Sequence, residues 1–141
     1  MPKITITEFE RLLETEMPWA LDSGLVLDEI GKGTAVMRLP YREDMLRPGG
    51  TVSGPTMMML ADANMYAVVL SAVGEVKLAV TTSFNINFLH RPKPGDLRAE
   101  GRLLKAGRRL AVVEVSVFSE NQDEAVAHAT GTYSIPPDDR D

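Results

Sequence analysis

The sequence predicts one α+β domain in which an antiparallel sheet wraps around a single long helix. Three observations carry that prediction. The stretch from Met57 to Val73 is apolar around most of a helical circumference, and from Val76 onward the apolar residues alternate with a period of two. The chain of 141 residues, 44% apolar and 25% charged, is long enough for one core and too short for two ordinary ones. The whole of 1–141 is therefore read as one domain, with 1–20 as an N-terminal helical segment and 136–141 as a flexible tail.

The elements follow in order. Thr7-Glu8-Phe9-Glu10 has the Thr-x-x-Glu form of a capping box, and Phe9, Leu12 and Leu13 continue at helical spacing until Pro18 stops the pattern. Leu25 to Ile30 and Thr34 to Leu39 are β-branched runs separated by Gly31-Lys32-Gly33, which reads as a hairpin. Asp44 to Thr51, with Pro48, Gly49 and Gly50, is a loop leading to the long apolar helix. In the strand that follows, Val80, Thr82, Phe84, Ile86 and Phe88 share one face, and Thr81, Ser83, Asn85 and Asn87 share the other. Leu97, Ala99, Gly101 and Leu103 line the next strand, and Arg109, Ala111, Val113, Val115 and Val117 the one after the Ala106-Gly107 turn. Asn121-Gln122-Asp123 precedes a last strand from Glu124 to Ile135. Its face of Ala125, Ala127, Ala129 and Gly131 is small enough for a helix to approach closely. One long helix among five or six antiparallel strands is the hotdog arrangement.

Composition excludes several classes of function. A formal net charge of -5 lacks the basic surplus that binding to a phosphate backbone requires, so no nucleic-acid partner is expected. The absence of cysteine removes disulfides, thiolate nucleophiles and thiolate-bound metals, and two scattered histidines assemble no metal site. Asp62, Asn64 and Ser71 interrupt the apolar helix, which reads as a buried soluble helix and not a membrane span. No secretory leader is legible in the first residues, and a cytoplasmic location is expected.

Asp62 is the anomaly of the central helix. An aspartate on an apolar helix either caps or salt-bridges a neighbouring element, or is a carboxylate held in an apolar cleft as general base or nucleophile. Gly49-Gly50-Thr51-Val52-Ser53-Gly54-Pro55 precedes the helix, and Pro55 suits its first turn. The N–H groups there, with Gly54 foremost, can stabilise an anionic oxygen; equally, the glycines can simply let the chain turn. Lys105, Arg108 and Arg109 around one turn, with Arg91 and Lys93 on another loop, suit phosphates or guard exposed strand ends. His90 and His128 read as ordinary strand residues.

Gly50-Thr51-Val52-Ser53-Gly54-Pro55 followed by Leu60-Ala61-Asp62 resembles the segment of PaaI-like hotdog acyl-CoA thioesterases in which Gly-x-Val-His-Gly-Gly leads into a helix bearing Leu-Ala-Asp. The likeness continues through Thr81–Phe88, Arg91-Pro92, Gly107–Leu110 and Ala127–Tyr133, over roughly residues 20 to 135. It implies hydrolysis of acyl-CoA thioesters, with Asp62 as the catalytic carboxylate and the Gly54 amide as oxyanion donor. Arg47, Ser53, Thr81, Arg108 and Arg109 are the expected substrate-binding residues. Ser53 replaces the family's His, Pro55 its second Gly and Arg47 its Asn, and the change to Arg47 implies altered chemistry, a different acyl group or reduced activity. A non-catalytic acyl-CoA or small-ligand binding protein is the alternative. The expected partner is a second copy of the chain in a homodimer with shared active sites, or a homotetramer. No cofactor is expected beyond coenzyme A as part of the substrate.

Overall fold

The computed structural model describes residues 1–76, 79–120 and 122–137. Residues 138–141 of the predicted 136–141 tail and Asn121 of the predicted turn lie outside them. The chain begins with helix α1 (Ile6–Glu16), capped two residues earlier than the sequence pattern suggests. Thr5 Oγ1 accepts from the Glu8 N–H at 3.1 Å, and Glu8 Oε1 accepts from the Thr5 N–H at 3.0 Å. Thr7 and Glu10, which carry the same spacing, lie inside the helix. The helix stops at Met17, and Pro18 then opens a second short helix, α2 (Pro18–Asp22), which the sequence reading takes as the end of helical structure. Proline without an N–H breaks a helix from within but is at no disadvantage in a first turn, so one residue ends α1 and starts α2.

Strands β1 (Val26–Gly31) and β2 (Thr34–Leu39) form the expected hairpin, with Gly33 at φ 80° in the turn. The chain then crosses a short 3-10 turn at Glu43–Met45 to α3 (Gly54–Val73), whose start includes the Gly54-Pro55 step. Strands β3 (Val80–Phe88), β4 (Leu97–Ala106), β5 (Leu110–Ser119) and β6 (Ala127–Ser134) complete an antiparallel sheet in the order β1-β2-β4-β5-β6-β3. The last strand starts at Ala127 and not at Glu124. The sheet curls around α3, as the hotdog fold requires.

The inner faces explain the close fit. Ala35, Met37 and Leu39 of β2, Leu97, Ala99 and Gly101 of β4, and Ala111, Val113, Val115 and Val117 of β5 are buried at alternate positions. On β6 the predicted small face holds from Ala127 through Ala129 to Gly131, where an added methyl would lie 2.5 Å from Met65 Sδ. Two polar groups of α3 tie it to the sheet. Asn64 donates to the carbonyls of Ala35 and Ala99, each at 3.1 Å, and Ser71 Oγ accepts from the Gly33 N–H at 2.9 Å. The buried polar residues of α3 are thus Asn64 and Ser71, while Asp62 lies on its exposed side. The same burial makes α3, long and apolar enough to span a membrane, the core helix of this domain.

Candidate active site

The site forms where the start of β3 and the end of β6 pass the middle of α3. Strict alternation puts Thr81 on the face opposite Phe84. In the structure a β-bulge between Thr81 and Ser83 changes that: Thr81 pairs with Tyr133, Ser83 with Thr132 and Phe84 with Gly131. The extra residue, Thr82, lets Thr81 and Phe84 both face α3, because a bulge inserts one residue without advancing the partner strand. Thr81 Oγ1 then donates to Asp62 Oδ1 at 2.9 Å.

A second hydroxyl reaches the same oxygen. Tyr133 Oη donates to Asp62 Oδ1 at 3.0 Å and lies 3.1 Å from the Asp62 carbonyl oxygen. Its ring stacks on Tyr66 with centroids 6.3 Å apart, and Tyr66 packs in turn against Phe9 of α1 at 6.0 Å. Burial, and then the negative charge of Asp62, push the Tyr133 phenol well above its ordinary value. It is therefore a neutral donor at any pH at which an enzyme is assayed. Sequence reasoning missed Tyr133. The available signal was the last step of the small inner face, where the run Ala127, Ala129, Gly131 ends in a large side chain with a polar tip.

Asp62 itself is exposed in the single chain and lines a half-open cavity of about 880 Å³ between α3, β3 and the two N-terminal helices. The expected burial of this carboxylate is not met within one chain. What the structure supplies is orientation: two hydroxyls hold Oδ1, and among the described residues Oδ2 has no protein partner.

The remaining predicted residues divide between two ends of the domain. Ser53 is the N-cap of α3: its hydroxyl accepts from the Thr56 N–H at 3.3 Å and lies 2.7 Å from Thr56 Oγ1. The Gly54 N–H lies ahead of the first bond of the helix, which runs from the Met57 N–H to the Ser53 carbonyl. The Phe88 ring packs so close to Gly54 that an added methyl would meet it at 3.3 Å. Arg47 is exposed on a tight turn closed by its own N–H on the Thr51 carbonyl at 2.9 Å, with Gly49 and Gly50 at φ 102° and 78°. Arg108 and Arg109 lie on the β4–β5 turn, where the Ile135 N–H, just past the end of β6 and two residues beyond Tyr133, bonds to the Arg109 carbonyl at 2.7 Å. Arg91 and Lys93 flank Pro92, whose carbonyl accepts from Val52 near the start of α3. The basic residues thus form two groups, one near each end of the Gly54–Asp62 segment. His90 pairs with Glu124 at 3.0 Å and His128 with Glu114 at 2.9 Å, so both are engaged by surface carboxylates. Among the described residues no three metal-ligating side chains cluster.

A six-stranded antiparallel sheet wrapped around one long helix is the hotdog fold, and Asp62, held by two hydroxyls, stands on the outward side of that helix. Residues 49–126 match the family described as the thioesterase superfamily, and the chain belongs to it. A crystal structure named as a putative thioesterase from Silicibacter sp. is 43% identical, with a TM-score of 0.88 over 97% of this chain and 95% of that one. A protein of Saccharolobus solfataricus named as a putative esterase is 30% identical over 95% of this chain and 87% of its own length. A mutant form of the phenylacetic acid degradation protein PaaI from Thermus thermophilus is 27% identical, with a TM-score of 0.75 over 84% of this chain and 99% of that one. The chain is a PaaI-like hotdog thioesterase, and thioester hydrolysis is its general activity.

Proposed function

We propose that the protein hydrolyses acyl-CoA thioesters with Asp62 as general base and a Gly54 N–H as oxyanion donor. The observation that carries this reading is the pair of hydroxyls on Asp62 Oδ1. A carboxylate fixed through one oxygen presents the other in a constant direction, which general-base work needs. Oδ2 takes a proton from water as the water oxygen bonds to the thioester carbon. The carbonyl oxygen becomes anionic and is met by the N–H at a helix N-terminus. When the tetrahedral intermediate collapses, the C–S bond breaks and the sulfur leaves with the proton held by Asp62, giving the free thiol and the carboxylic acid.

One chain cannot supply both groups. Gly54 and Asp62 are eight residues apart on α3, roughly 12 Å along the axis at about 1.5 Å rise per residue. The two groups must approach one carbonyl to about 3 Å, so Gly54 comes from a second subunit. The edge of the sheet supports that assembly. β3 is a nine-residue strand with one side unpaired, and Val80 and Phe88 on it are more than half or half exposed. A long unpaired edge is a template for pairing, and pairing with its own copy about a two-fold axis sets the α3 helices antiparallel. Gly54 of each subunit then faces Asp62 of the other, and the basic groups at Arg91–Lys93 and Arg108–Arg109 converge where the CoA phosphates would lie. The reading places the enzyme in the cytoplasm, with no cofactor beyond the CoA of its substrate.

The test is free-thiol release from a panel of acyl-CoA substrates by the wild type and Asp62→Asn. The variant keeps the size of the side chain and removes the base. A fall in kcat of about 10² or more with an unchanged melting temperature is expected; wild-type turnover by a folded variant would overturn the assignment.

A further inference from the structure

The cavity beside Asp62 has a wall that the matched family segment does not provide. Residues 49–126 contain α3 and β3, but α1 and α2 lie before them, and Phe9, Leu13, Met17, Trp19 and Ala20 from these two helices line the cavity. The wall is held firmly. Phe9, Leu12 and Leu13 are buried against the core, Phe9 packs on Tyr66, and the Lys3 N–H bonds to the Ser71 carbonyl at 2.7 Å. The break at Met17-Pro18 turns the chain so that Met17 and Trp19 reach the rim. Trp19 is 58% exposed and Met58, across the mouth on α3, is 40% exposed, although large apolar side chains usually avoid water. The polar groups at the Asp62 end are the ones that orient the carboxylate; beyond them the lining is aromatic, aliphatic and thioether apart from Glu16 at the end of α1.

We infer that α1 and α2 make this cavity the acyl-binding pocket and that it selects bulky apolar acyl groups over acetyl, with Trp19 and Met59 setting the size limit. The inference rests on the acyl-CoA reading and adds the class of acyl group to it. Three observations point the same way. The cavity is continuous with the reacting carboxylate, so an acyl chain attached to a carbonyl at Asp62 has it as its apolar neighbour. Its volume, about 880 Å³, lies in the range of pockets that enclose whole drug-sized ligands and far exceeds what a two-carbon group fills. Its methionines, Met17, Met58 and Met59, are unbranched and adaptable, so the pocket reads size and apolarity in preference to one rigid shape. An acyl group ending in a carboxylate would lose its hydration against this lining and is rejected.

Each methylene that moves from water into such a pocket strengthens binding about three- to fourfold. Where that binding is retained in the transition state, kcat/KM rises by a similar factor per carbon until the pocket is full. The experiment measures kcat/KM for acetyl-, butyryl-, hexanoyl-, octanoyl-, decanoyl- and phenylacetyl-CoA, with adipoyl-CoA as the charged match to hexanoyl-CoA. Octanoyl over acetyl by at least 10², phenylacetyl well above acetyl, and adipoyl well below hexanoyl are expected. Two variants locate the selection. Met59→Trp should lower the octanoyl-to-acetyl ratio about tenfold or more by filling the pocket. Trp19→Ala, at an exposed position that folding tolerates, should move the optimum to a longer chain. A flat profile or an acetyl preference overturns the inference while leaving acyl-CoA hydrolysis standing, as does a profile that neither variant changes. Failure to hydrolyse any member of the series overturns the acyl-CoA reading, and the inference with it.

Discussion

Replacing Tyr133 by phenylalanine removes one oxygen and tests whether orientation of Asp62 matters to turnover. The Tyr133 hydroxyl donates to Asp62 Oδ1 at 3.0 Å, and the Thr81 hydroxyl donates to the same atom at 2.9 Å. A hydrogen bond to a charged group contributes about 1.5–3 kcal/mol. If the freed carboxylate must be reoriented in the transition state, kcat falls roughly 10- to 100-fold, at about 1.4 kcal/mol per tenfold. The loss stays below that of Asp62→Asn because Thr81 still holds Oδ1. KM should change less than about threefold, since the lost hydroxyl binds the carboxylate and not the thioester. The phenylalanine ring keeps the stack on Tyr66, so the melting temperature should fall only by a few degrees. Thiol release at a series of substrate concentrations, with thermal melting in parallel, reads kcat, KM and the melting temperature. A kcat within twofold of wild type would refute the positioning role. A large loss of stability with normal kcat and KM would reassign Tyr133 to the core.

Gly101→Ala should destabilise by about 2–4 kcal/mol in denaturant unfolding. The new methyl runs into Asn64 Oδ1, and Asn64 cannot swing aside without giving up its bonds to the Ala35 and Ala99 carbonyls. Glu114 is held below the usual carboxylate range first by His128 and then by Arg102. A depressed carboxylate contributes stability that is present above its unfolded value and lost as pH falls through the folded one. Glu114→Gln should therefore cost up to about 1 kcal/mol at pH 7, screened by solvent, and the gap to wild type should close as melts are taken below pH 4. Mixed dimers of Asp62→Asn with Gly54→Val should recover about half of wild-type activity, because one composite site collects both lesions and the other neither. Mixed dimers that form and stay inactive would show that each site draws on one chain.

The strands were legible because their inner faces are regular. In β2 and β5 every second residue is buried, and the alternation of Ala111, Val113, Val115 and Val117 needs no correction. The failures occur where one local pattern competes with another of equal strength. Thr5 and Thr7 each stand three residues before a glutamate, and only the packing of Phe9, Leu12 and Leu13 onto the core selects Thr5. Pro18 reads as a stop from one side and a start from the other. The bulge at Thr82 leaves no mark in a run of β-formers, yet it decides which way Thr81 faces. Asp62 and Gly54 stood out as candidates through the motif around them. Tyr133 did not, because its partner is 71 residues away in the chain and only the closed sheet brings them together.

The small residues of the sheet and the chemistry of the helix are one arrangement. Asn64 and Met65 of α3 face inward against Gly101 and Gly131, where a methyl on either glycine would collide with them. Asp62 stands two and three residues earlier, on the outward side of the same turn of helix. Hydrogen bonds near 3 Å from two different strands to one carboxylate oxygen tolerate displacements of only a few tenths of an ångström. The depth at which α3 seats on β4 and β6 therefore sets whether Thr81 and Tyr133 can both reach Asp62. On this argument Gly101 and Gly131 belong to the site as much as to the core: a sheet with alanine at these positions would lift the helix, and the carboxylate with it, away from the hydroxyls that aim it.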